Sequence, residues 1–527
     1  MKQTFYITTP LYYVNAAPHI GHSYTTVAAD CLARYHRLKG ESVFFLTGTD
    51  EHGQKIEQAA AAVGKTPAVF VDEVVERFTS LWKLLNISHD DFIRTTQPRH
   101  VQVVQACLTR LRDDGKLHHA TYQGWYCTPC ETFWTREELA DVSGAPLCPN
   151  CQRPLEAVTE EGWYLPLRQS QEWLTRFLSA HPTFIQPQTR FNEIRSLLEQ
   201  PLPEYLCITR PRQRVGWGIP VPFSESHVTY VWFDALLNYI SAPGYGEDPT
   251  RFAGLWPADV QCIGKDILRH HTIYWPIILH ALGLPDEQMP RMIFAHGWWK
   301  IGEQKMSKSL GNIVDPSVVV SVFLKSQPYA ADVYRYFLLR EVPFGQDGNF
   351  SEDAIAKRLA TDLANDLGNL VHRTLSMIDR YLGGKLPTGT SLSQLDVIGG
   401  ARGLAEETML LADQIERLMS QLDFSGVLER IMGIVSKANQ YIEVSSPWTL
   451  AKRADTDAIR RVLSTLTEVI RIVAVALEPF MPSVSTAIWE QLGMGTIPRT
   501  HTQLTSWPAC PVGRPLDPRA VLFPRAE

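Results

Sequence analysis

The chain has 527 residues, 45% of them hydrophobic, and a net charge of −6. That length exceeds a single domain and that apolar fraction supplies real cores, which excludes a disordered or fibrous chain. The charge excludes a global pull toward nucleic acid, no apolar run reaches the ~20 residues of a membrane span, and nine cysteines, an odd count, point to a reducing cytosol rather than a disulfide framework.

The start, "MKQTFYITTPLYYVN", lacks the charged, apolar and cleavable layout of a signal peptide. Instead "TFYITT" reads as a buried strand and "PLYYVNAAP" breaks it. The following "HIGHSYTTVAADCLARYHRLKG" carries Val27, Cys31, Tyr35 and Leu38 at helical spacing, with Gly40 as a stop. "SVFFLTGTDEHG" repeats the strand and loop, and "QKIEQAAAAVG" the helix. This alternation predicts an α/β fold with a doubly wound parallel sheet and ligands at the carboxyl ends of its strands. Between about Gly115 and Ser226 the pattern dissolves into Cys, Pro and Trp, as in an insertion. It resumes with "DVQCIGKDIL", a helix through "YWPIILHALG", and the strand "RMIFAHG". From about Ser351 the reading is nearly all helical. Leu359, Leu363, Leu367, Leu370, Thr374 and Ile378 form one stripe, "RRVLSTLTEVIRIVAVAL" gives another, and together they predict a helical bundle.

Several segments carry chemistry. In "APHIGHSY", His19 and His22 flank Gly21 where a loop gives way to a helix. A helix N-terminus with a close-approach glycine and two imidazole donors suits a phosphate; the plain alternative is a helix start with two surface histidines. In "GEQKMSKSLGN", Lys305 and Lys308 alternate with small residues after a sheet strand, where a lysine loop can close over a triphosphate. Walker-A and Gly-rich dinucleotide patterns are both absent. "CTPC" at Cys127 and Cys130 and "CPNC" at Cys148 and Cys151, with seventeen residues between the pairs, match a four-thiolate zinc site. Rubredoxin-like iron and four unrelated thiols are the alternatives. Cys31, Cys107, Cys207, Cys262 and Cys510 read as buried or inert.

HIGH before the first helix and KMSKS after the last strand resemble the two signatures of class I aminoacyl-tRNA synthetases. The chain is too short for the large editing insertions of the leucyl, isoleucyl and valyl enzymes. "TTPLYYVNAAPHIGH", "FLTGTDEHG", "YVWFDALLNYI", "CIGKDILRHHTIYWP", "AHGWWKIGEQKMSKSLGN", "DLANDLGNLVHR" and the closing "LFPRAE" are similar to the methionyl-tRNA synthetases.

The resemblance implies a Rossmann-like catalytic domain with a zinc-bearing insertion and a C-terminal all-α bundle. Its divisions would be 1–114 (first catalytic half), 115–229 (connective insertion with zinc knuckle), 230–298 (second half), 299–352 (KMSKS loop and stem contact) and 353–527 (anticodon-binding domain). It implies that L-methionine is activated by ATP and transferred to methionine tRNA. His19, His22, Lys305 and Lys308 would be catalytic, and Gly21 and Ser307 would join them in binding ATP with Mg²⁺. Methionine would meet Leu11, Tyr13, Asp50, Arg210, Trp232, Ala235, Tyr239, Ile267 and His271. Asp50 would hold the ammonium with Arg210 as its partner, and Tyr13 and His271 would offer weak hydrogen bonds to sulfur. Without the resemblance, Trp232 and Tyr239 read as ordinary core. Leu236 stands where some members have proline. The zinc, one per chain, would be structural. Asn369 and Arg373, four apart on one helix face, and Trp448 after Pro447 would read the CAU anticodon. A monomeric cytoplasmic protein is expected, since no appended oligonucleotide-binding barrel is evident. The competing readings are another class I synthetase, such as the cysteinyl enzyme, and a non-catalytic tRNA-binding relic.

Overall fold

The computed structural model describes residues 4–524 except 137–138, 140–145, 150, 303, 306–313, 396–399 and 518–519. The chain divides into two compact units, each assembled from three separated stretches. The first holds residues 1–18, 43–81 and 89–297, the second 19–42, 82–88 and 298–527.

In the first unit a sheet of seven strands is built from β1 (Thr4–Thr8), β2 (Tyr12–Tyr13), β3 (Ser42–Asp50), β4 (Asp91–Arg94), β5 (Ile185–Gln186), β6 (Val260–Gly264) and β7 (Ile293–His296). Their order is β2-β3-β1-β6-β7-β5, with β4 also on β3. The β1–β6, β6–β7, β7–β5, β2–β3 and β3–β4 pairs are all parallel. Strand order reverses between β1 and β6, so the crevice for a ligand opens at the carboxyl ends of those two strands. The central strands β1, β6 and β7 and the carboxyl part of β3 are mostly buried; Tyr6, Leu46, Ile93 and Ile263 enter one core with Phe233, Tyr239 and Trp275.

The stretch without a legible pattern contains sheets of its own. His118–Cys127 pairs antiparallel with Thr132–Trp134 and Glu156–Pro166, and Tyr205–Cys207 completes four strands. A second sheet of three strands joins Thr209–Pro211, Ser224–Thr229 and Pro220–Val221. The same stretch also supplies β5, which lies beside β7 at the edge of the parallel sheet.

The second unit holds the helix Ile20–Leu38, a small sheet that includes Trp299–Ile301 and Gln304–Lys305, and the C-terminal helices. Leu363, Leu367, Leu370, Thr374 and Ile378 are buried as the stripe predicts, while Leu359 is half-buried. The backbone there widens to π-helical turns over Leu359–Gly368 before the regular helix Asn369–Leu382. Thr456–Leu477 is buried along nearly its whole length and forms the centre of the bundle. No helix among the described residues is long and apolar enough to cross a membrane.

Candidate active site

The predicted amino-acid residues all lie in the first unit, and local sequence explains their placement. β1 ends before Pro10, and the chain re-pairs with β3 so that Tyr13 stands opposite Asp50 at the strand's carboxyl end. On the far side of the switch point, β6 ends at Gly264. A tight turn carries Ile267, and a π-helical turn over His270–Tyr274 carries His271. Trp232 and Ala235 lie on the helix Val231–Leu236, and Tyr239 on the next turn.

The sulfur-binding expectation is corrected by the hydrogen bonds. His271 Nδ1 is 3.0 Å from the Ile267 carbonyl and can only donate there, so Nε2 is the acceptor for the Tyr239 hydroxyl at 2.8 Å. Burial pushes His271 down to about 4 and keeps the ring neutral. Tyr13 donates its single proton to Glu131 Oε1 at 2.8 Å, with the His52 carbonyl at 3.0 Å. Neither group keeps a proton to offer a thioether. What remains is an aromatic slot, in which Trp232 stacks on His270 at 3.7 Å and Tyr239 packs against His271 and Trp275. Leu11 and Ile267 pack against the same core as Tyr239, whereas Tyr13 and Trp232 pack against Tyr164, Cys207, Tyr230 and Val231.

The ionic expectation is corrected as well. Arg210 forms a bidentate pair with Glu160, at 2.7 and 2.9 Å, rather than pairing with Asp50. The guanidinium also lies over the Tyr126 ring at 4.1 Å, so Nε and Nη2 of buried Arg210 are taken up by the antiparallel sheet that holds Glu160, while Nη1 is buried without a hydrogen-bond partner. Asp50 is buried, and its Oδ1 has no hydrogen-bond partner. Burial first, then the carboxylates of Asp234 and Glu131, hold its carboxyl well above the usual range. Such a pocket is prepared for a cation.

Sequence reading missed the groups that brace this pocket. Asp234 is fully buried and joins His52 Nδ1 and His100 Nε2, both at 2.7 Å. Asp234 and His52 stand inside the quoted "YVWFDA" and "TDEHG" segments, but nothing in local spacing pairs residues 182 apart. Glu131 was likewise unmarked, although it directly follows a cysteine of the first CxxC pair.

The four cysteines come together as spacing predicts. The Sγ atoms of Cys127, Cys130, Cys148 and Cys151 lie within 4.8 Å of one another, with Cys127–Cys151 at 3.5 Å and Cys130–Cys148 at 4.0 Å. Tetrahedral Zn–S bonds of ~2.3 Å would put sulfurs about 3.8 Å apart, so the cluster fits a metal and is too open for disulfides. Hydrogen bonds to Cys127 and Cys148, then burial, push the Cys130 thiol far up. The thiols therefore ionise together only if a cation shares their charge.

In the second unit, His19 caps the helix Ile20–Leu38. Its Nδ1 accepts from the Gly21 amide at 3.0 Å, and His22 Nδ1 accepts from the His19 amide at 3.1 Å. The rings stack at 3.8 Å, and a Cβ on Gly21 would fall 2.9 Å from His19 Cε1. Acceptance at Nδ1 leaves each neutral ring's proton on Nε2, an arrangement suited to donating to an anion. The Lys305 backbone lies in the strand Gln304–Lys305, while Ser307 and Lys308 lie outside the described residues. Farther along, Arg373 reaches Glu443 at 2.7 Å and lies over the Trp448 ring at 5.9 Å. Asn369 meets Asn439 at 3.5 Å, and the Trp448 side chain is 38% exposed.

Comparison with known proteins places these features in one family. The model for class I (M) tRNA synthetases matches residues 5–157 and 145–375, and that for the anticodon-binding domain of tRNA ligases matches 402–519. A methionine–tRNA ligase from Caldanaerobacter subterraneus is 45% identical over 534 residues, covering 100% of this chain and 80% of that protein. The Streptomyces coelicolor counterpart is 41% identical, covering 100% and 97%. The structure of Mycobacterium tuberculosis methionyl-tRNA synthetase in complex with methionyl-adenylate superposes with a TM-score of 0.93 at 38% identity, over 100% of both chains. On these matches the chain belongs to the class I methionyl-tRNA synthetases.

Proposed function

We propose that the chain activates L-methionine with ATP to methionyl-adenylate and transfers the methionyl group to methionine tRNA. The observation that carries this reading is the gathering of buried Asp50, Tyr239 and His271 around the carboxyl ends of the strands at the β1/β6 switch point, in a chain whose full length matches a synthetase bound to methionyl-adenylate. In this reading Asp50 binds the α-ammonium. Leu11, Trp232, Ala235, Tyr239, Ile267 and His271 shape the side-chain slot by contact rather than by hydrogen bonds to sulfur, while Tyr13 closes its entrance. A long, polarizable thioether suits such aromatic walls. Arg210 acts from a distance, by bracing the sheet that carries Glu160.

Adenylate formation is an in-line attack of the methionine carboxylate on the α-phosphate, where positioning and charge stabilisation supply the catalysis. We assign His19 and His22 Nε2–H, with Gly21, to the phosphates, and Lys305, Ser307 and Lys308 to the departing pyrophosphate. ATP would enter with Mg²⁺ on its phosphates. Cys127, Cys130, Cys148 and Cys151 would hold one structural zinc in the 115–229 insertion. Asn369, Arg373 and Trp448 form the proposed reader of a CAU anticodon within the helical domain, with 299–352 contacting the acceptor stem. A monomer in the cytoplasm completes the proposal. The cysteinyl alternative, which needs metal in the amino-acid pocket, is not favoured by the relatives. The test is charging of a methionine tRNA transcript, with the esterified amino acid identified by mass spectrometry. Methionine on the 3′ end is the expected result, and another amino acid or none would overturn the reading.

A further inference from the structure

Each CxxC pair is followed by a residue in the left-handed region, Glu131 at φ 51° and Gln152 at φ 59°. Glycine would hold that conformation without strain, so a side chain kept there calls for a reason. Gln152 is exposed, and its side chain donates only locally among the described residues, from Nε2 to the Pro149 carbonyl at 3.2 Å. Glu131 differs. It is 4% exposed, and its carboxylate accepts from the Tyr13 hydroxyl at 2.8 Å, the Lys55 amide at 2.9 Å and the Tyr126 hydroxyl at 3.1 Å. Its carbonyl accepts from the Tyr230 hydroxyl, and the neighbouring Cys130 carbonyl from the Trp232 indole at 3.4 Å. Gly53 is bare where a Cβ would stand 2.6 Å from the Tyr13 oxygen and 2.7 Å from Glu131 Oε1. Tyr13 in turn pairs in register with Asp50.

We propose that Glu131 is a positioning residue that ties the four-cysteine knuckle to the amino-acid pocket. By fixing Tyr13 and the Gly53–Lys55 turn beside Asp50, it sets methionine affinity from its place beside the knuckle without contributing to metal retention. This rests on the methionine reading above. The left-handed backbone is the cost of anchoring that carboxylate at the knuckle rather than on the parallel sheet.

The test compares the wild-type chain with Glu131→Gly, Glu131→Ala and Glu131→Gln. Metal content, methionine Kd by calorimetry and the KM for ATP in pyrophosphate exchange are measured for each. Glycine relieves the backbone, so Glu131→Gly should keep its metal and resist chelator at least as well as wild type. Methionine Kd should rise about tenfold or more in the Gly and Ala variants, with the KM for ATP within about twofold. Glu131→Gln keeps an amide oxygen for Tyr13 and Lys55 and should stay within about threefold of wild type. An unchanged Kd in Glu131→Gly, metal lost together with affinity, or a Gln variant as weak as Ala would overturn the proposal. A wild-type chain that binds no methionine would overturn the methionine reading and this inference together; indifferent variants of an active chain would overturn this inference alone.

Discussion

Asp50 sits at the carboxyl end of β3 with Oδ1 buried and unbonded, facing the fields of Asp234 and Glu131. An arriving ammonium relieves that situation; until then, ionised Asp50 works against folding. Its folded-state pKa lies above the unfolded one, so the stability it contributes is full below about pH 4 and is lost as pH rises through the raised value. Asp50→Asn should therefore raise Tm at pH 8, by about 1 °C for each kcal/mol relieved, and leave it unchanged at pH 4. Methionine activation should fall at least about 10²-fold in the same variant. Calorimetry at both pH values checks this, and a lower Tm at pH 8 would contradict it. Asp50 draws notice in the sequence as a carboxylate at a strand's carboxyl end, whereas Trp232, Tyr239 and His271 are proposed through the resemblance and otherwise read as core. Their partners could not be found there. Glu131 lies 118 residues from Tyr13, and Glu160 lies 50 from Arg210. Which acceptor a buried donor finds is decided by sheet pairing, not by local spacing.

Among the elements, the knuckle was legible and the strands around it were not. Glu156–Pro166 does alternate, with Val158, Glu160, Gly162 and Tyr164 turned inward. The inward set includes a carboxylate paired to Arg210 and a glycine, so polarity hides the period of two. The π-helical run before Asn369 was also invisible, because buried leucines four apart satisfy both an α-helix and a wider turn. Two variants test the element-level assignments. Cys148→Ser should release about one zinc per chain and expose the insertion to protease, since a structural site loses its folding free energy with its metal; unaltered metal content would contradict it. Trp448→Ala removes a stacking surface worth roughly 1–3 kcal/mol per base. Charging of tRNA should then fall at least about ten- to a hundredfold in kcat/KM with pyrophosphate exchange unchanged. A parallel fall in both would make Trp448 a packing residue.

At the scale of the whole molecule, alternation of strand and helix located the parallel sheet, but the chain's division into interleaved stretches was not readable. Arg335 shows how the second unit closes on itself. Its buried guanidinium pairs with Asp30 at 2.7 Å and donates to the carbonyls of Leu85 at 3.2 Å, Pro479 at 2.9 Å and Phe480 at 2.9 Å. Burial alone would raise Asp30, but Arg335, Arg34 and the Ser88 bonds hold it at about 2. Its stabilisation is thus present above the unfolded value near 4 and is lost as pH falls toward 2. Arg335→Met leaves a buried carboxylate short of its partner and should destabilise the protein by about 3–5 kcal/mol at pH 7. The deficit should shrink on acidification; a deficit independent of pH would remove Asp30 from the explanation.

The central claim is that the pocket at the switch point selects methionine, and ATP–pyrophosphate exchange run across the twenty amino acids and homocysteine tests it most directly. Methionine should give the highest kcat/KM, with homocysteine roughly 10–200-fold lower because a single missing methyl or methylene is weakly resolved by an apolar slot. Exchange driven best by cysteine or any other amino acid, or no exchange with methionine at all, would contradict the account.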